Sequence, residues 1–422
     1  MSFKLFKNRN FSLFLFGQST SSLGTNVLHF ATALYIFQIT GSAGKFASII
    51  ALGMIPNLIL GPIAGTITDR VNRKNLIIFG DLIRGIFEIL LFIFSLSVNL
   101  NIEVMYIMVI FLSACEVFFE PAFTTILPSI VTKTELPDAI AVKRTIGRIT
   151  SIFAPLLGAF LLKLVGFQVM LLLDGLTFLI SSFSEIFMVI PLNKTLNKSS
   201  SFLKDISEGF KVLFINKRIT SLVSNNIITN VFLLPFISIG FPYIIIEILG
   251  GTQLIYGTVQ SSAAFGSILS ILAVFMAKKR YDINNCIKIG LTVLLSSCIF
   301  LIPLISKFFI SLLNNHFIFI TIFFSMIMFI FRLGNAFWDV FYGTFYQTAV
   351  PSNLLGRYVA VESLFITIAR LIGLKLFGYL FDNYTLLIPI SFLIIGIILK
   401  VIAHIPFITE TKSKCINDCS LK

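Results

Sequence analysis

Twelve stretches of this chain are long and apolar enough to cross a bilayer, and no other feature restricts its fold as much. They cover residues 11–38, 46–67, 75–98, 104–127, 145–165, 168–191, 219–248, 254–277, 286–306, 316–346, 358–381 and 385–407. A spanning helix needs about 20 mainly apolar residues, and proline or glycine inside one is tolerated where neighbours satisfy the freed backbone groups. An all-α polytopic membrane protein with twelve transmembrane helices is therefore expected. Composition agrees, because 57% apolar and 12% charged residues, with a mean hydropathy of +0.97, cannot furnish a water-soluble surface. Lys4, Lys7 and Arg9 precede a stretch too long for a signal peptide and without a clear cleavage site, so the first span is expected to stay as an anchor.

Charge placement sets an expected orientation. With both termini in the cytoplasm, the inner loops hold 22 lysines and arginines and the outer loops hold three, Lys45, Lys163 and Lys307. That asymmetry follows the positive-inside rule and accounts for the formal net charge of +13 without nucleic acid. Anionic headgroups at the cytoplasmic face are the expected partners of these loops, in a multi-pass protein of the plasma membrane. The longest polar interval, Leu192 to Arg218, carries six of the inner cations and divides the chain. The expected organisation is a six-helix bundle over 1–191, a cytoplasmic linker over 192–218, a second six-helix bundle over 219–408 and a cytoplasmic tail over 409–422.

The loop from Gly61 to Lys74, GPIAGTITDRVNRK, places an acid and several cations at one mouth of a hydrophobic hairpin. It resembles the signature between the second and third helices of the major facilitator superfamily, G-x-x-x-D-R-x-G-R-[RK], which Gly65, Asp69, Arg70, Arg73 and Lys74 match. Asn72 stands where glycine is usual, and asparagine is the next best residue for a left-handed turn. A faded copy follows the eighth span, with Gly266, Lys278, Lys279 and Arg280 but no matching acid. NRNFSLFLFGQSTSSLG near the start, Asp81 and Arg84, FFEPA at 118–122, LPSIV at 127–131 and QTAVPSNLLGRYVA at 347–360 narrow the likeness. Together they resemble the drug:proton antiporters that include macrolide-efflux permeases and the enterobactin exporter.

The resemblance implies two pseudo-symmetric six-helix bundles and alternating access, with the first, fourth, seventh and tenth helices lining a cavity. It also implies that the signature loop is a conformational latch, Asp69 facing the start of the eleventh helix, where a helix N-terminus favours negative charge. From spacing alone, Asp69 and Arg73 can meet at i,i+4; a plain topology signal with a solvated acid is the other reading. The fifth-helix antiporter motif is altered to Ala154-Pro155-Leu-Leu-Gly158-Ala159, whose small residues still allow close helix packing at Pro155 and Gly158.

Polar residues inside the spans fall on stripes. Gln18, Ser22, Thr25, Asn26 and His29 share one face of the first helix, and Asn226 and Asn230 sit one turn apart on the seventh, ahead of Pro235, Gly240 and Pro242. Arg332, Asn335, Asp339, Tyr342 and Tyr346 share a face of the tenth helix, beside Trp338, the single tryptophan. Glu116 and Glu120, one turn apart on the fourth helix, are the candidates for proton coupling, since two acids in a low-dielectric cavity can load and release a proton between them. They serve equally well to bind a cationic cargo, and Glu120 can instead pair with Lys143 or Arg144. Asp81 and Arg84 are expected to pair with each other or with the signature loop. An ion pair between the tenth and eleventh helices is expected among Arg332, Asp339 and Arg370, the alternative being that Arg332 and Asp339 meet cargo. Lys400 is expected to snorkel to the inner surface. Glu88, Arg148, Asp174 and Glu185 need partners that the sequence does not name.

No phosphate-binding loop of the G-x-x-x-x-G-K-[ST] type occurs, so ATP is not expected to drive the protein. His29, His316 and His404 lack ligand spacing, and the cysteines, with Cys415 and Cys419 in the tail, suggest neither zinc nor a disulfide. No metal, cofactor or enzymatic role is expected. The expected function is export of a small amphipathic or hydrophobic compound in exchange for protons by a monomer. The alternatives are an uptake permease or facilitator for a polar metabolite, and a transport-inactive receptor or scaffold.

Overall fold

The computed structural model describes residues 3–68, 71–98, 100–132, 134–189, 210, 216–314, 316–351 and 354–420. Its long helices are α1 (Arg9–Thr40), α2 (Ala43–Thr68), α3 (Arg73–Ser97), α4 (Ile102–Ile130), α5 (136–165), α6 (167–186), α7 (Lys217–Ile248), α8 (Gln253–Lys278), α9 (Ile283–Ile299), α10 (Phe317–Ala349), α11 (Leu355–Asn383) and α12 (Leu387–Ser420). Helices α5 and α6 form one continuous stretch, Leu136–Ile186, interrupted where Gly166 takes φ 78° and ψ 166°, a conformation open to glycine and strained for other residues. The break falls between the two spans expected on either side of it.

Nine helical stretches among the described residues are long and apolar enough to cross a membrane, the broken Leu136–Ile186 counting as one. Two long helices fall short of that apolarity, α1 and α3, and both carry polar residues in mid-span. On α3 the cause is visible. Asp81, Arg84 and Glu88 are buried, whereas Phe79, Ile83, Ile86, Leu90, Ile93 and Phe94 on the opposite side are exposed. A water-soluble helix has the reverse arrangement; polar groups inside and apolar groups outside suit a helix whose solvent is lipid.

The described chain forms two compact units, residues 1–40 with 49–199 and residues 41–48 with 200–422. The expected linker, 192–218, lies outside the described residues apart from 210 and 216–218. In the first unit a core gathers Phe11, Phe14, Phe119, Phe123 and Ile126. There α3 and α6 cross at two glycines: a Cβ on Gly85 would stand 2.9 Å from the Gly175 carbonyl oxygen, and one on Gly175 would stand 3.0 Å from that of Gly85. Small residues at this point let the two backbones touch, which drives helix association where lipid supplies no hydrophobic force.

The core of the second unit gathers Phe337, Trp338, Phe341, Tyr342, Tyr358 and Phe407. Helix α7 widens into three π-helical turns, Thr229–Leu233, Phe236–Gly240 and Tyr243–Ile248, with Pro235 and Pro242 at the starts of the second and third. Each proline lacks the amide that would bond one turn back, so the ladder shifts to a longer reach. Asp382 at the end of α11 accepts from the amides of Ala43 (2.7 Å) and Gly44 (3.0 Å) and from the Ser42 hydroxyl (2.7 Å). This capping seats residues 41–48 within the second unit.

Candidate functional site

In the first unit, α1, α2 and α4 enclose a cavity of about 280 Å³ whose wall includes His29, Thr32, Gly53, Met54, Ser113 and Glu116. His29 and Glu116 both line it, and Glu116 and Arg84 bear on His29 electrostatically. Glu116 is exposed, as an acid lining an accessible space must be if it is to exchange with water. The fourth-helix pair divides here, because the side chain of Glu120 lies outside the described residues. Of the first-helix stripe, His29 alone lines this cavity. Asn26 donates to the carbonyl (2.6 Å) and hydroxyl (3.3 Å) of Ser22, Thr25 donates to the Ser21 carbonyl at 2.8 Å, and the Gln18 side-chain oxygen is buried without a donor among the described residues.

Asp69 and Arg70 of the signature loop lie outside the described residues, and Gly65 falls within α2. Arg73 opens α3. Lys74 donates to the carbonyl of Ile186 at 2.7 Å, tying the start of α3 to the end of α6. Asn72 has φ −64° and ψ 110°, extended rather than left-handed, and its side-chain oxygen accepts from the amides of Lys74 (3.0 Å) and Asn75 (3.5 Å). The expected left-handed role is thus replaced by an N-cap, for which asparagine is among the best residues because its oxygen meets orphan first-turn amides. Gly158 packs α5 on α1, since a Cβ there would stand 3.0 Å from the Val27 carbonyl oxygen and 3.0 Å from the Phe30 ring; Pro155 lies one turn earlier on α5.

The second unit holds a polar network that the sequence reading reached only in part. Asn226 donates to Glu362 at 3.3 Å, and Asn230 donates to the Asn226 carbonyl at 3.0 Å. The Tyr342 hydroxyl donates to Glu362 and lies 2.8 Å from the Tyr358 hydroxyl. Glu362 was missed, although it stands one turn from Tyr358 within an apolar span and the spacing argument used on the fourth helix would have found it. Lys400 does not snorkel: it is 1% exposed and donates to the Thr229 hydroxyl at 2.5 Å and to the Asn225 carbonyl at 3.3 Å. Helix α7 thus supplies the oxygen acceptors that an ammonium at this depth requires.

Trp338 is packed in the core, its ring stacked on Tyr342 at 4.7 Å with the Lys400 ammonium 5.2 Å away. Asn335 donates to Asp339 at 2.9 Å on an exposed face, and Arg332 and Lys400 both attract Asp339. Arg370 faces the like charge of Arg332. The Asp81–Arg84 pair forms at 2.5 Å, with Arg84 held over the rings of Phe119 and Phe178, each 4.3 Å away.

The model of the Major Facilitator Superfamily matches residues 14–374. Macrolide efflux protein A of Streptococcus pyogenes is 24% identical over 257 residues, 60% of this chain and 63% of that protein. An uncharacterized MFS-type transporter of Bacillus subtilis, YkuC, is 28% identical over 231 residues, 52% of this chain and 53% of its own. The chain thus aligns with somewhat over half the length of the curated relatives it matches. Among solved structures, a bacterial homologue of the iron transporter ferroportin in an inward-facing state superposes with TM-score 0.70 at 15% identity, covering 97% of this chain and 99% of the other. A mutant of the nucleoside transporter NupG gives TM-score 0.70 at 15% identity over 94% and 99%. At such identity these likenesses establish the fold, and with the family match over most of its length they place this chain, a transporter and not an enzyme, in the major facilitator superfamily.

Proposed function

We propose that the protein exports a small amphipathic or hydrophobic compound across the plasma membrane by alternating access, with protons entering in exchange. The observation that carries this reading is the cavity in the first unit, which Glu116 and His29 line together. An acid and an imidazole at an accessible wall supply a proton acceptor and a hydrogen-bonding partner in one place. The resemblance to macrolide efflux protein A supports the class of cargo. The signature residues Gly65, Asp69, Arg70, Arg73 and Lys74 serve as the latch, and the acceptor network of Asn226, Asn230, Tyr342 and Glu362 contributes polar contacts in the second unit.

The test is efflux of macrolides and lipophilic cationic dyes from vesicles holding the purified protein, with and without an imposed pH gradient. Gradient-driven movement is expected, and Glu116→Gln is expected to slow it by about tenfold or more, about 1.4 kcal/mol in the barrier, with abundance unchanged because the side chain is exposed. Cargo movement that ignores the gradient in the unsubstituted protein would overturn proton exchange. Undiminished proton flux in the variant would remove Glu116 from the coupling path.

A further inference from the structure

Helices α3 and α6 bring four carboxyl groups into the interior of the first unit, Asp81, Glu88, Asp174 and Glu185, all of them 3% exposed or less. The cation among them is Arg84. Its carboxylate bond goes to Asp81 at 2.5 Å, its Nε donates to the Gly80 carbonyl at 3.3 Å, and both faces of its guanidinium are taken by Phe119 and Phe178. Two hydroxyls supply the remaining donors, Thr177 to Asp174 at 3.0 Å and Ser181 to Glu185 at 3.3 Å. Five carboxyl oxygens are left buried without a donor among the described residues: the second oxygens of Asp81, Asp174 and Glu185, and both oxygens of Glu88.

Glu88 packs against α6 beside Asp174, since a Cβ on Gly175 would stand 3.4 Å from the Glu88 Cβ, and the two acids bear on each other. Two ionised carboxylates have only acceptors to offer each other, so contact between them requires a proton. The same conclusion follows from charge. Four carboxylates against one guanidinium would leave a net −3 in a region that tolerates buried charge only when it is paired. Among the described residues, Cys115 on α4 and His29 on α1 bear on Arg84 from the helices packed around it, and Lys74, at the start of α3, is bonded to the Ile186 carbonyl beside Glu185. No three His, Cys, Asp or Glu side chains among the described residues converge as ligands for a metal ion. A second cavity of about 210 Å³, walled by α1, α5 and α6, reaches Asp174 and Thr177 from the side of Gly24 and Leu157.

We propose that these four carboxyls form a proton-binding site separate from the Glu116 cavity, sharing a proton between Glu88 and Asp174 and exchanging it with the medium. Each uptake converts one carboxylate and one proton from water into a carboxylic acid, so no other reactant is needed. The role of such protons in driving export rests on the proposed function; their binding does not.

The test is infrared spectroscopy of the full-length protein in lipid, following the carbonyl stretch of protonated carboxyl groups while the medium is titrated from about pH 5 to about pH 10. A band present at neutral pH that fades as pH rises is expected, weaker in both Glu88→Gln and Asp174→Asn. A band absent at neutral pH, or one unchanged across the titration, would overturn the proposal, the second case marking acids that are protonated permanently. Loss of the band on replacing choline by sodium at constant pH would also overturn it, in favour of a metal-cation site. Should one variant fail to fold, the other assigns the band, and absence or constancy of the band in the unsubstituted protein overturns the proposal without either. Vesicle efflux that ignores a pH gradient, alongside a band that titrates, would defeat the proposed function and leave the site standing.

Discussion

Arg84 is fixed by three different contacts, an ion pair with Asp81 and the faces of Phe119 and Phe178. Its removal strands a buried carboxylate, and breaking one side of a buried pair costs about 3–5 kcal/mol. Arg84→Ala is therefore expected to lower the stability measured by unfolding in lipid by that order, and adding Asp81→Asn to recover part of the loss. Arg84→Lys keeps the charge but loses the flat group that fits between two rings, so it should rescue incompletely. A melt unchanged in Arg84→Ala would show that Asp81 finds another partner. This pair was legible from spacing, being three residues apart on one helix. Its aromatic walls were not, because they come from α4 and α6. Lys400 shows the same limit: its position near the end of a span suggested snorkelling, whereas its acceptors on α7 are 171 and 175 residues distant in sequence.

Helices were easier to read than side chains because each span carries its own signal in length and apolarity. Even the join between the fifth and sixth spans was legible, with Gly166 in the gap between 165 and 168. The π-helical turns of α7 were not. Pro235 and Pro242 announced interruptions, but the helix could have kinked, and its packing decides otherwise: a Cβ on Gly373 of α11 would stand 2.6 Å from the Pro235 ring and 2.9 Å from the Asn230 carbonyl oxygen. Crossings are likewise set by small residues whose partners only the fold reveals. At Gly85 and Gly175 the α3 and α6 backbones touch, so Gly175→Val is expected to force them apart and to destabilise the first unit by at least roughly 1–3 kcal/mol, the cost typical of an overfilled core. Reduced recovery of folded protein with a lower melting midpoint would register this, and a melt equal to that of the unsubstituted chain would refute the crossing.

At the scale of the whole molecule, the burial of charge on α3 has a consequence for how the chain is made. Asp81, Arg84 and Glu88 each oppose entry of an isolated helix into lipid, by about 2.5–3.5 kcal/mol for a charge near its centre. The surface that buries them is completed by α6, whose Phe178 ring lies 4.3 Å from the Arg84 guanidinium and whose Gly175 meets Gly85 backbone to backbone, and α6 reaches the translocation machinery only after α4 and α5 have been synthesised. During biosynthesis α3 is then a poor insertion signal that depends on later sequence for its place in the bilayer. Chains truncated before α6 and carrying a glycosylation tag after α3 should report mixed topologies, whereas chains extended through α6 should report one. A single topology at both lengths would mean that α3 inserts unaided. Membrane integration of the first unit becomes a cooperative event completed by its sixth helix, and a substitution on α6 that spoils the acidic cluster would surface first as misrouted nascent chains.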